Sequence, residues 1–222
     1  MKKADIFLIV TIITLIYAGC KKDESVKGEI SYRYFPMQVG DSLIYDVSSF
    51  DKDLNTYDSS YQLLERVESV FSDKQGRPTF RLERYTRNSD TDPWQIYKVW
   101  TANLLTTSVE KKEDNITYVK LVFPVKLDEH WNGNAKNYMA DEFDDYKIIG
   151  IDESYSANNL NFDSTLTVRQ VDYDYGFEKR RHYEKYAAGV GMIYKEVYDS
   201  LQGSPGGRII HYTETLKSSN KK

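Results

Sequence analysis

The sequence predicts a mainly β domain: a strongly bent antiparallel sheet, a half-barrel or open barrel of about ten strands, with one short helix against it. Three observations predict it. The 222 residues include 19 Tyr and 9 Phe, and aromatic residues favour strands, where one face packs while a hydroxyl stays wet. Turn residues recur at intervals that suit an antiparallel meander. Between the turns, several stretches alternate apolar with polar side chains. A sheet with that many strands must curl or close to protect its edges.

The elements follow in order from the first residue. Lys2 and Lys3 precede an apolar run, Ile6 to Tyr17. As a helix at about 1.5 Å per residue the run reaches only about 18 Å, short of a hydrocarbon core of about 30 Å. Residues 1–19 therefore read as a signal peptide and stay outside the fold. The run ends in Tyr17-Ala18-Gly19-Cys20, which resembles the lipobox of bacterial lipoproteins, with Tyr17 where leucine is usual. The resemblance implies diacylation of the Cys20 thiol, cleavage before it and acylation of the new amino group. An ordinary secretory signal with a stray thiol is the alternative reading. Cys20 is the only cysteine, so no internal disulfide can form, and an odd cysteine in an exported chain needs an explanation of this kind. Each buried CH₂ of an acyl chain contributes about 0.8 kcal/mol, so two or more chains on Cys20 hold the protein to a membrane.

Lys21-Lys22-Asp23-Glu24 then resembles the lipoprotein export signal of Bacteroidetes, which directs proteins to the cell surface; a charged, solvated tether is the alternative. Residues 20–28 form the lipidated tether and residues 29–222 a single β domain, since no Gly/Pro/Ser-rich linker divides them. The expected location is the outer membrane, lipid-anchored, with surface exposure following from the export signal.

Within the domain, Ile30 to Phe35 alternates and Pro36 closes it into a turn. Val39-Gly40-Asp41 is turn chemistry, Leu43 to Val47 a strand, and Asp51 to Asn55 a hairpin loop. The run Tyr57 to Phe71 is long enough for a helix, but Ser59-Ser60 and its valines favour a strand. Asp73 to Gly76 turns the chain. Thr79 to Thr86 alternates Phe80, Leu82 and Arg84 against Arg81, Glu83 and Tyr85. After Asp90 to Pro93, Trp94 to Thr101 sets Trp94, Ile96, Lys98 and Trp100 against Gln95, Tyr97 and Val99. Strands Leu104 to Val109 and Ile116 to Phe123 flank the turn Glu113-Asp114-Asn115. Pro124 to Asn137 is a loop holding Trp131. Tyr138 to Tyr155 and Leu160 to Tyr173 are two long strands. Phe177 to Ala187 is the helix, Met192 to Tyr198 a strand after Gly189-Val190-Gly191, and Gly203 to Gly207 the plainest turn before the last strand, Arg208 to Leu216.

Phe35-Pro36-Met37-Gln38-Val39-Gly40-Asp41-Ser42-Leu43 and Phe123-Pro124-Val125-Lys126-Leu127-Asp128-Glu129-His130-Trp131 share a pattern: Phe-Pro, apolar, polar, apolar, two turn residues, one variable, one large apolar. The pair reads either as one structural corner used twice, with Asp128 where the first has Gly40, or as a chance match of a loose pattern. Together with Tyr186-Ala187-Ala188-Gly189-Val190-Gly191, the corner resembles uncharacterised Bacteroidetes lipoproteins, which are in turn similar to the half-barrel domains of periplasmic lipoprotein carriers. The resemblance covers about 20 residues and brings no catalytic residue with it.

Removing residues 1–19 leaves 203 of the 222 residues and moves the formal charge from −4 to −5. That mild, dispersed acidity gives no nucleic-acid footprint. His130, His182 and His211 share no zinc-ligand spacing, and Asp51-x-Asp53-x-Asn55 lacks the glycine and glutamate that a calcium loop needs, so no metal and no cofactor is expected. Asp141, Glu142, Asp144 and Asp145 gather around Phe143. Such carboxylates could raise one another's pKa or bind calcium, against the plainer reading of a charged strand entrance. No Gly-x-Ser-x-Gly elbow and no phosphate-cradling loop appears. Trp94, Trp100 and Trp131, with Tyr97, Tyr173 and Tyr175, could line a concave face that stacks sugars or holds acyl chains; the alternative is core packing and cross-strand pairing. The expected function is that of a non-catalytic envelope lipoprotein binding an apolar or glycan ligand. An accessory subunit for an envelope protein stands second, and a hydrolase third.

Overall fold

The computed structural model describes residues 32–52, 56–141, 144–202 and 207–221, so the signal peptide, Cys20 and the tether lie outside it. Among the described residues twelve strands follow one another: β1 (Ser42–Lys52), β2 (Thr56–Ser72), β3 (Pro78–Arg87), β4 (Gln95–Leu104), β5 (Ser108–Glu113), β6 (Ile116–Val122), β7 (His130–Asn132), β8 (Asp145–Ala157), β9 (Leu160–Asp174), β10 (Glu178–Ala187), β11 (Gly191–Leu201) and β12 (Arg208–Ser219). All belong to one sheet, ordered β6-β5-β4-β3-β2-β1-β12-β11-β10-β9-β8-β7. Each strand pairs antiparallel with its neighbours in sequence, except β6 with β7, and β12 returns to pair with β1 from Leu43↔Ser219 to Lys52↔Ile209. The sheet is thus a ring interrupted only between β6 and β7. There the Val119 amide donates to Gly133 O (2.9 Å), Trp131 Nε1 donates to Val119 O (2.7 Å) and Asn137 Nδ2 donates to Thr117 O (2.9 Å). The bent sheet read from the sequence is a nearly closed barrel.

The expected helix is strand β10. Its glutamates, lysines and arginines are good helix formers, but pairing with β9 and β11 on both sides overrides propensity. Its inward residues include Glu184, so the alternation that marks a strand is hidden by charge on both faces. The expected first strand contributes instead a 3₁₀ turn, Tyr32–Tyr34, whose Tyr34 is buried together with Phe35 while Arg33 is exposed. Its Arg33 carbonyl accepts from the Gly189 amide (2.7 Å), and Tyr34 OH donates to Asp152 Oδ1 (2.7 Å). Twelve strands enclose more than the eight whose side chains just fill a barrel. The aliphatic and aromatic core therefore forms two clusters, around Leu82, Trp131, Ile148 and Leu166, and around Tyr45, Leu63, Ile193 and Leu216.

The repeated corner makes the same turn hydrogen bonds twice, although only Phe123-Pro124 of the two Phe-Pro bonds is cis. Gly40 and Asp128 both take positive φ, 96° and 64°, which aspartate tolerates better than most residues. The Gly40 amide donates to Val67 O and Asp41 O accepts from the Val67 amide. Likewise the Asp128 amide donates to Ile148 O and Glu129 O accepts from the Ile148 amide. Phe35 and Phe123 enter the same core cluster. The ring is two runs of six strands, each opened by this corner.

Candidate functional site

Two concavities compete for the role, one inside the barrel and one outside it. The inside is built by strand alternation, which turns Tyr45, Glu65, Arg84, Trp100, Lys111, Glu113, Glu184, Lys195 and Glu214 inward from β1, β2, β3, β4, β5, β10, β11 and β12. Lys120 arrives by another route. The register slips between Val109↔Leu121 and Glu110↔Val119, leaving Lys120 unpaired on β6, and a bulge of this kind re-aims a side chain. Its Nζ lies 2.5 Å from Glu184 Oε1 and 3.6 Å from Glu113 Oε1. Lys195 Nζ sits 3.9 Å from both Glu113 and Glu184. Arg84 reaches Glu214 (2.8 Å) and Glu65 (3.3 Å), and Lys111 reaches Glu65 (2.9 Å). The Arg84 guanidinium lies 3.8 Å over the Trp100 ring, a cation–π contact in a desolvated place. At the mouth, Lys221 Nζ donates to Pro36 O (2.7 Å) beside Asp41.

These charges set one another's ionisation. Burial would raise the Glu113 carboxyl, but Lys120, Lys195 and Lys111 more than offset it and hold it well below the carboxylate range. Glu184 and Glu214 are likewise held down against burial, chiefly by Lys120 and by Arg84. Burial would lower Lys120 and Arg84, but their carboxylates raise both. Five cations face five carboxylates around a residual cavity of about 40 Å³. That volume holds a few waters and no more. Arg84 Nε and Glu214 Oε2 are buried there without a protein hydrogen-bond partner, and waters in so polar a space would serve them.

The structure does not bring the four aromatic residues of the sequence reading together. Trp100 is in the chamber wall. Trp131 is in the β6–β7 seam, edge-to-face with Tyr146 at 5.8 Å. Trp94 lies before β4 under Arg87 (4.3 Å), and Tyr97 is the exposed extra residue of a β3–β4 bulge. Tyr173 and Tyr175 stack on each other at 4.8 Å on the β9–β10 turn. The concave face expected to hold an acyl chain is filled by ion pairs, because a ring this wide needs long side chains to span it.

The second concavity is on the outer face of β3 to β6, where the β2–β3 hairpin folds back over the sheet. Arg77 fastens it, bonding Asp73 Oδ2 (2.7 Å) on one side and Glu110 Oε2 (3.1 Å) on the other. Asn103 Nδ2 donates to Pro78 O (2.9 Å) and Thr79 Oγ1 (2.6 Å) below it. The groove encloses about 440 Å³, within the range of about 300–1,000 Å³ that small-molecule sites occupy. Phe71 and Val99, each nearly half exposed, supply an apolar wall; Thr101, Thr117, Asn115 and Gln75 supply hydroxyls and amides. Only Trp100 of the sequence-named residues borders it. The alternation in β4 to β6 carries the signal, since Thr101, Lys112 and Thr117 share one face, but only the register brings them side by side.

No family profile matches the chain, and no curated relative does. Two solved structures are similar to it. A Bacteroides fragilis protein inferred to be exported, described as having a YmcC-like fold, shares 10% identity at a TM-score of 0.47, over 85% of this chain and 99% of its own. A Parabacteroides distasonis protein inferred to be a lipoprotein shares 13% identity at a TM-score of 0.41, over 84% and 98%.

The three histidines are dispersed, each against one carboxylate: His130 Nδ1 with Asp145 (2.7 Å), His182 Nε2 with Asp199 (2.8 Å) and His211 Nε2 with Glu196 (3.2 Å). Of the acidic run, residues 142 and 143 lie outside the described residues. Asp144 accepts from the buried Asn134 Nδ2 (2.8 Å), and Asp145 accepts from His130 at the surface. In the calcium-like run, Asp53 and Asn55 are outside the described residues, and Asp51 pairs with Arg208 at 2.9 Å.

Proposed function

We propose that this is an exported envelope lipoprotein, held to the outer membrane through Cys20, whose barrel binds a glycan-type ligand without catalysis. The observation that carries the ligand reading is the outer groove: a site-sized hollow with hydroxyls and amides on one wall and Phe71 and Val99 on the other, the mixture that suits a sugar's polar edge and apolar face. The absence of catalysis is supported by the chamber. Glu113, Glu184, Glu214, Lys120 and Arg84 are each driven further into the charged form, whereas a general acid or base works best with a pKa near the working pH. The address rests on the lipobox-like Tyr17 to Cys20 and the charged run after it.

A glycan array probed with the parent chain and with Val99→Arg tests the ligand reading. Binding by the parent that the arginine abolishes is expected. No signal, or signal indifferent to Val99→Arg, overturns it. Native mass spectrometry of the chain taken from its host envelope separates the alternative, since a stoichiometric protein in place of a saccharide would make it an accessory subunit.

A further inference from the structure

We infer that the groove selects acidic saccharides, polyols carrying a carboxylate or a sulfate, over neutral ones; the inference rests on the glycan reading above. Of the ionic side chains lining the groove, Arg77 is committed to Asp73 and Glu110, and the two carboxylates are committed to Arg77. Lys74 and Lys112 remain, and among the described residues neither side chain has an ionic or hydrogen-bonding partner. The pairing register places Lys112 on the sheet, and Lys74 borders the groove from the β2–β3 hairpin. Lys112 stands on β5 opposite Thr101 of β4 and Thr117 of β6, and Lys74 stands on the folded-back hairpin next to Asp73. A ligand seated in the groove meets two ammonium groups that have no salt-bridge partner and a net charge of +1, next to hydroxyls and amides that suit its sugar hydroxyls. The groove carries three cations against two carboxylates, in a chain whose formal charge is −4, so this local excess runs against the molecule's overall sign. An ammonium attracts an anion without demanding fixed geometry, which suits substituents presented at varying angles along a saccharide chain.

The test is isothermal titration of the full lipidated chain in neutral detergent with two oligosaccharides of equal length, one built of neutral hexoses and one of hexuronic acids. The parent should bind the acidic oligosaccharide about fivefold more tightly, the sum of two exposed charge pairs. The preference should fade at high salt, as screening requires. Lys74→Gln/Lys112→Gln should bring the two affinities together while neutral binding persists. Equal binding of both oligosaccharides by the parent, or an acidic preference that survives the double substitution, overturns the inference and leaves the glycan reading standing. Failure of both oligosaccharides to bind removes the glycan reading itself.

Discussion

Lys120→Met asks whether the ion pairs inside the barrel hold it together. Lys120 is buried, 2.5 Å from Glu184 and 3.6 Å from Glu113. Removing it leaves those carboxylates to share Lys195, 3.9 Å from each. Breaking a buried pair from one side costs about 3–5 kcal/mol, because the remaining charge is stranded. With a urea slope of about 2–3 kcal/mol/M for a domain of this size, the unfolding midpoint should fall by roughly 1–2 M. Glu184→Gln should cost less. Lys120 then keeps Glu113, and the amide oxygen can still accept from Tyr186 OH, which donates to Glu184 in the parent. Lys120→Met/Glu184→Gln restores the balance of charge and should recover much of the loss, since replacing both members of a buried pair is often near neutral. Urea unfolding of the soluble chain from residue 21, followed by circular dichroism, gives all four midpoints. A Lys120→Met midpoint equal to the parent's, or a double variant no better than the sum of the singles, refutes the reasoning.

Stability should be flat across neutral pH and fall at both ends. The depressed Glu113, Glu184 and Glu214 give stability that is whole above the unfolded glutamate value of about 4.3 and is lost as pH falls through their folded values. Tyr45 and Tyr186 are raised by burial, so their share is whole below about pH 10. Above that it falls by about 1.4 kcal/mol per pH unit for each tyrosine, as the unfolded hydroxyls ionise. A urea midpoint still level well above pH 10 would sink this account. Trp131→Phe removes the Nε1 donor to Val119 O, and should cost about 1 kcal/mol and speed hydrogen exchange at the Val119 amide. Unchanged exchange there would mean that the seam is closed by something else. Cys20→Ser should leave the domain folded and release it from membranes or stall it uncleaved; mature, membrane-bound Cys20→Ser protein in a fractionation would disprove the lipid anchor.

The strands were legible wherever charge and burial kept to opposite faces. In β3 the alternation grouped Arg84 with Phe80 and Leu82, and Arg84 does point inward. The same logic failed at β10, where Glu184 faces in and Arg181 faces out to Glu196 (2.7 Å), so that neither face looked apolar. Lys120 could not be found by alternation, because a bulge changes the parity and leaves no mark in composition. Trp131 was legible as a large apolar plug but not as a seam residue, since the seam exists only once the ring is drawn. The outer groove was least legible of all. Phe71, Arg77, Val99 and Lys112 belong to four separate segments, and only the fold-back of the β2–β3 hairpin joins them.

The repeated corner explains why the barrel needs its interior charges. Each corner starts a run of six strands, so the ring has two junctions between halves: β1 against β12, which is fully paired, and β6 against β7, which has a short bridge through Gly133 and Trp131. Lys120 with Glu184 straddles the weak junction, and Arg84 with Glu214 spans the paired one. Lys120 and Glu113, from β6 and β5, meet Glu184 and Lys195, from β10 and β11, and Arg84 of β3 meets Glu214 of β12. Each of these pairs joins one half to the other. In a ring of twelve, β5 and β11 are six places apart, as far as two strands can be, so no hydrogen-bond ladder could couple them. Long side chains of opposite charge can, at the cost of desolvating both. The groove, by contrast, is made from residues 71–117 alone, all within the first half. The interior charges thus fasten the two halves to each other, while the groove is built on one of them.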